Sequence, residues 1–123
     1  MSKMYNQWLS NIFFDKHEFA CPCCDNSFVL RSFIAKLTNA RFRSDVPFVI
    51  NSGYRCLSYN TYIGSKPTSS HIRFVACDIS TPNSLIRQKI LFGLILAGFT
   101  RIGIYPSYIH VDSDPNKPNA IWM

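Results

Sequence analysis

Three side chains from distant parts of the chain have the chemistry to share one metal ion. His71 and Asp78 lie in the run Ser69-Ser70-His71-Ile72-Arg73-Phe74-Val75-Ala76-Cys77-Asp78, and His110 lies in Tyr108-Ile109-His110-Val111-Asp112. Two imidazoles and one carboxylate make a nitrogen-and-oxygen donor set that suits zinc, and three protein ligands leave a fourth position open to water or substrate. An open position serves chemistry rather than bracing. Each residue also has a plainer reading, as a satisfied polar group at a loop or strand end. For His71 and Asp78 to reach one ion, the chain between them must turn.

The elements that would carry these residues can be read from apolar spacing. Phe28, Leu30, Phe33, Ile34, Leu37 and Ala40 recur at helical intervals, which predicts an amphipathic helix over 27–42. Residues 47–52 read as a short strand stopped by Gly53, and 54–70 as a long polar connection whose length points to a functional loop. Residues 75–79 form a strand bearing Asp78, and Ser80-Thr81-Pro82 starts a second helix with proline near its first position. That helix, 85–97, is apolar almost all round and is expected to be deeply buried, with Gly98 closing it. Residues 100–105 and 108–111, separated by Pro106-Ser107, predict adjacent antiparallel strands, and Ile121-Trp122 could add an edge pairing. Residues two apart on a strand face the same way, so Tyr108, His110 and Asp112 should project together. Residues 5–14 read as a short helix or packed arm, and 15–26 as a loop pinned by Phe19. The sum is an α+β fold, an antiparallel sheet packed against a few helices, in one domain spanning 1–123.

Composition narrows the partners. Thirteen Lys and Arg against seven Asp and Glu give a formal charge of +6, suited to anionic surroundings, but the basic residues are scattered and form no stripe for nucleic acid. The longest apolar run, 90–99, is far short of the ~20 residues that span a bilayer. No secretory signal is visible in the first residues, and the chain is expected to act as a monomer without nucleic-acid or membrane partners. Five cysteines, at 21, 23, 24, 56 and 77, are an odd number in such a chain. Cys21, Cys23 and Cys24 could hold a structural metal, but Cys-x-Cys-Cys lacks the separated pairs of common zinc modules, which favours reduced, partly buried thiols.

The order of several short motifs carries more. Ser52-Gly53-Tyr54-Arg55, Tyr59-Asn60, Ser69-x-His71, Ala76-x-Asp78, Gly98-Phe99 and Ile109-His110-Val111-Asp112 follow one another in a pattern that resembles the zinc D-alanyl-D-alanine carboxypeptidases and related D,D-peptidases. These enzymes of peptidoglycan metabolism share their zinc-site architecture with the hedgehog signalling domain, and the chain is most similar to the short single-domain members of bacteria and phages. The resemblance runs from about residue 14 to residue 122 and centres on SxHxxGxAxD followed by a late histidine. It implies that His71, Asp78 and His110 bind Zn2+, that Arg55 lies near the substrate and the reacting carbonyl, and that Ser69 and Tyr108 line the substrate site.

Two positions depart from the family pattern. Phe74 stands where the motif usually has glycine, and Ser107 and Tyr108 stand where relatives supply a Glu or His as general base. A tyrosine hydroxyl normally keeps its proton to about pH 10. Among the seven acidic residues, Asp112 is the best candidate for the base, with pairing to Arg55 or capping of the next turn as its alternative role. The expected function is a zinc metallopeptidase acting on peptidoglycan stem peptides, as D,D-carboxypeptidase or endopeptidase, at the cell wall and in phage-type lysis. The rival is a zinc-binding module that holds a wall polymer or protein partner without catalysis.

Overall fold

Side-chain alternation along three strands sorts the sheet into a core face and a polar face. In β2 (Ala76–Ser80), Cys77 and Ile79 are buried in the core while Asp78 points the other way; in β4 (Tyr108–Asp112), Ile109 and Val111 are buried while Tyr108, His110 and Asp112 share the opposite face. In β3 (Arg101–Ile104), Ile102 is core and Arg101 and Gly103 are on the polar side. The period of two in the sequence is thus realised as one dry face and one working face.

The computed structural model describes residues 13–123. Its element order is a short 3-10 helix (Lys16–Phe19), α1 (Arg31–Ser44), β1 (Ile50–Ser52), α2 (Leu57–Tyr62), β2, α3 (Ser84–Leu96), β3, β4 and β5 (Ala120–Trp122). The strands lie in the order β1-β2-β4-β3-β5. All pairings are antiparallel except that of β5 with β3, which is parallel and makes the sheet mixed. The α+β class read from the sequence holds. Most of the segment 5–14 falls outside the described residues, although Phe14 is buried and meets Phe19 edge-on at 5.7 Å.

Helices α1 and α3 cover the core face. Phe33, Ile34, Leu37 and Ala40 of α1 join Ile90 and Leu94 of α3 in one cluster with Val111, Ile109 and Ile79. The helices approach closely at Gly93, where an added Cβ would come within 2.5 Å of the Ala40 carbonyl. The first helix begins later than its apolar spacing predicts, because the Leu30 N–H is taken by the Phe74 carbonyl at 3.1 Å. The second begins after Pro82: the Asn83 side chain accepts from the Ile86 N–H at 2.9 Å, and Thr81 is still bound to Ser107.

Two expectations need correction. Helix α3 is not deeply buried all round; Leu85, Phe92, Ile95 and Leu96 are exposed, because among the described residues it is covered by α1 and the sheet on one side. The 54–70 connection contains a helix, α2, whose six residues include a single buried one, Asn60, and so show no apolar period.

Candidate metal centre

Asp78 and His110 are direct partners in the β2–β4 register, so the sheet itself brings a carboxylate against an imidazole. His110 Nδ1 lies 3.0 Å from Asp78 Oδ1. His71 arrives from outside the sheet, on a tight turn in which Ile72 N–H bonds to Ser69 and Arg73 N–H to Ser70. That turn is the one the His71–Asp78 spacing demanded, and it sets His71 Nε2 3.3 Å from the same Asp78 oxygen. One donor atom from each of the three residues falls within 4.8 Å of the others.

Phe74 sits inside this turn with φ +69°, a left-handed conformation. Its ring stacks on Tyr54 at 5.4 Å and meets Phe28 edge-on at 5.9 Å, away from the residues lining the pocket. The position that is glycine in the resembled motif therefore keeps a glycine-like backbone while its side chain joins an aromatic cluster.

Both imidazoles are oriented from behind. His71 Nδ1 donates to the Gly53 carbonyl at 2.7 Å, leaving Nε2 as a donor to a metal. Gly53 is itself pressed against Phe19, where a Cβ would meet backbone at 2.6 Å. His110 Nε2 donates to Asp112 Oδ2 at 2.7 Å, leaving Nδ1 facing Asp78. A buried acceptor behind each candidate ligand histidine fixes its tautomer and raises its basicity, so the donor set fits zinc in chemistry and in orientation.

Asp112 occupies an orienting place rather than the open place expected of a general base. Its side chain is fully buried, Oδ1 accepts from Arg101 Nε at 2.8 Å and from the Asp114 N–H at 3.0 Å, and Oδ2 is held by His110. The partner cation is Arg101, its direct neighbour in the β3–β4 register, and not Arg55. Capping of the following turn, the alternative role, is what the Asp114 N–H shows.

Electrostatics follow from this packing. Burial works to raise the Asp78 carboxyl, but hydrogen bonds from His110 and His71 and their positive potential outweigh it and hold Asp78 well below the usual carboxylate range. Burial opposes charge on His110, yet its bonds to Asp112 and Asp78 raise it above an ordinary imidazole. Burial likewise pushes Asp112 up, and His110 and the Asp114 N–H bring it down below its ordinary value. Tyr108 is raised by burial and by the charge of Asp78, so its hydroxyl is a hydrogen-bond donor and not a base.

The three donors lie in a pocket of about 470 Å³. Arg55, Ser69, Tyr108 and Asp112 all line it, so the substrate-site and base candidates read from the sequence reach the same space as the three donors. Arg55 Nη2 donates to Ser69 Oγ at 3.1 Å, and the guanidinium is half-buried, with burial acting against its charge and Asp78 supporting it. The sequence reading missed Lys66, Arg101, Tyr105, Lys117 and Trp122, which also line the pocket. Arg101 was within reach of the hairpin register, which sets it opposite Asp112. Trp122 was not: its ring lies over Gly103, where a Cβ would come within 2.6 Å of it, and 5.8 Å from the His110 ring.

A family model described as Peptidase M15 matches residues 11–112. No curated protein matches the chain. The matched span holds all three donors and most of the described fold, and the chain belongs to the Peptidase M15 family, whose members are zinc-dependent metallopeptidases.

Proposed function

We propose that this metallopeptidase hydrolyses the stem peptides of peptidoglycan, either as a D,D-carboxypeptidase or as an endopeptidase at a cross-link. One observation carries the reading: the donor triad opens into a pocket lined by Arg55, Lys66, Arg101 and Lys117, whereas its two carboxylates, Asp78 and Asp112, are both engaged. Such a pocket favours a peptide with a carboxylate close to the bond that is cut.

His71, Asp78 and His110 would hold the zinc, which when bound supplies Lewis acidity that polarises a carbonyl and acidifies water at neutral pH. Arg55 offers fixed N–H donors beside Asp78, placed to grip a substrate carboxylate or the oxygen on which negative charge develops. Ser69 holds that guanidinium in place. Tyr108 stacks on Tyr105 at 4.6 Å and 7°, a rigid flat wall for the substrate, and Tyr105 is in turn held by Trp122 Nε1 at 3.0 Å. Asp112 keeps the proton of His110 on Nε2. The formal charge of +6 suits work on an anionic wall, consistent with an enzyme of phage-type lysis.

A second reading, a wall-binding module without turnover, is favoured by the absence of an unengaged carboxylate among the described pocket residues. The two separate in one experiment. Purified peptidoglycan incubated with the zinc-loaded protein should release D-alanine or peptides, release should stop with a chelator and return with zinc. Binding to the wall without release would leave the module. Synthetic stem peptides with free and amidated C-termini then divide carboxypeptidase, which needs the free acid, from endopeptidase.

A further inference from the structure

Three of the five cysteines, Cys21, Cys24 and Cys56, collect away from the pocket, where the 20–26 loop that also carries Cys23 meets the start of α2. The sulfurs of Cys21, Cys24 and Cys56 lie within 4.8 Å of one another, with Cys21 Sγ 3.6 Å from Cys56 Sγ. Cys24 and its chain neighbour Cys23 are exposed on the same loop, so both thiols are open to an ion arriving from solvent. All are free thiols. Two sulfurs at ~2.3 Å from one tetrahedral ion stand ~3.8 Å apart, close to what is seen between Cys21 and Cys56.

The backbone is folded to receive thiolates. The loop is closed by Cys21 N–H to Asn26 at 2.7 Å and Asp25 N–H to Cys21 at 2.8 Å, with Asp25 left-handed at φ +62°. Across from that loop, the Cys56 N–H donates to the Cys21 sulfur at 3.4 Å. Cys56 caps α2, its sulfur accepting from the Tyr59 N–H at 3.4 Å. Amide donors on sulfur stabilise the anion over the thiol, and several thiolates this close need a cation among them.

We propose that Cys21, Cys24 and Cys56, with Cys23 of the same loop as the fourth ligand, bind a second metal ion, a thiophilic divalent cation of the zinc type, in a closed structural site. Four sulfur ligands leave no position for substrate, so the ion acts as a staple. It joins the 20–26 loop to the segment that carries Arg55 and the Gly53 carbonyl. The same two segments are already tied by Tyr54 N–H to Phe19 at 2.9 Å. The assignment is independent of the substrate proposed above.

Cobalt substitution tests it on the full chain without any assay of activity. Apoprotein reloaded with Co2+ should take up two ions per chain and show the near-ultraviolet sulfur-to-cobalt charge transfer of a tetrahedral thiolate site. The double variant His71→Ala, His110→Ala should lose one ion and keep that band. Cys23→Ser with Cys24→Ser, two exposed positions that the fold tolerates, should retain one ion and lose most of the band. A parent chain that binds a single ion, a spectrum without sulfur charge transfer, a band unchanged by the serine pair, or a Cys21–Cys56 disulfide in peptide maps of freshly purified protein would each overturn the assignment.

Discussion

The pocket has two walls made in different ways. On one side Asp78, Arg101, Tyr108, His110 and Asp112 come from three paired strands, and their relative positions are fixed by register. On the other side Arg55, Ser69 and His71 come from segments outside the strands, held by a few polar bonds: His71 to the Gly53 carbonyl, Arg55 N–H to the His71 carbonyl at 3.3 Å, and Arg55 to Ser69. Ser70 Oγ, bonded to Asp114 Oδ2 at 2.9 Å, links the walls. A side chain on the first wall cannot shift without breaking a ladder, whereas the second wall can shift by losing one or two bonds.

Removing the group that both walls share should have the largest effect. Asp78 touches His110 on its own wall and His71 on the other. Asp78→Ala takes away about a third of the protein's hold on an ion bound with ~10 kcal/mol, a loss of affinity of ~10²–10³-fold. Competition against a calibrated zinc chelator measures it. A loss under tenfold would mean that the two walls do not meet on one ion.

Next in size is Asp112→Asn, which sharpens the sheet wall. As the residue that orients His110, its loss should weaken zinc ~10–100-fold and lower activity through that loss. At saturating zinc most of the turnover should return. If turnover stays ~10³-fold down with zinc bound, Asp112 takes the substrate's proton itself and its orienting role is secondary.

How much of each wall was legible follows from the same contrast. The sheet wall could be read because strand alternation is written in adjacent residues: Tyr108, His110 and Asp112 share a face as their spacing predicts. Beyond the roles that the resemblance implied for Arg55, Ser69 and His71, the loop wall read only as a polar connection, since α2 has no buried stripe and starts from a cysteine cap that has no familiar sequence signature. Cys56 could not be joined to Cys21 without the fold, because nothing local links residues thirty-five positions apart. The parallel partner of β3 and the uncovered side of α3 are likewise tertiary facts. An apolar helix does not say which of its sides a neighbour will cover.

Titration should divide the groups of the sheet wall by sign. His110 is raised in the folded chain, so in metal-free protein its contribution to stability is complete below its unfolded value of ~6.5 and is lost as pH rises through the raised folded value. Asp78 and Asp112 are lowered, so theirs is present above ~4 and is lost as pH falls toward the folded values. Metal-free protein should therefore be most stable between about pH 4 and 6.5, with zinc, which needs neutral imidazoles, adding more as pH rises from 5.5 to 7.5. Thermal melts with and without zinc across that range would show the gain growing by several degrees. A gain that shrinks with pH would contradict the His110–Asp78 pairing.

The smallest effect tests the turn that carries the loop wall toward the sheet. Phe74 at φ +69° holds a left-handed conformation that costs a residue with a Cβ ~1–2 kcal/mol, offset by its ring against Tyr54 and Phe28. Phe74→Ala discards the ring and keeps the strain; Phe74→Gly discards the ring and relieves the strain. In most folded contexts glycine is the less stable of the two, but here Phe74→Gly should be the more stable by ~1 kcal/mol in urea denaturation. Zinc affinity should change by less than tenfold in either variant, because the ring points away from the pocket. An alanine variant as stable as the glycine variant would show that this turn is not held left-handed in solution, and that His71 reaches Asp78 by another path.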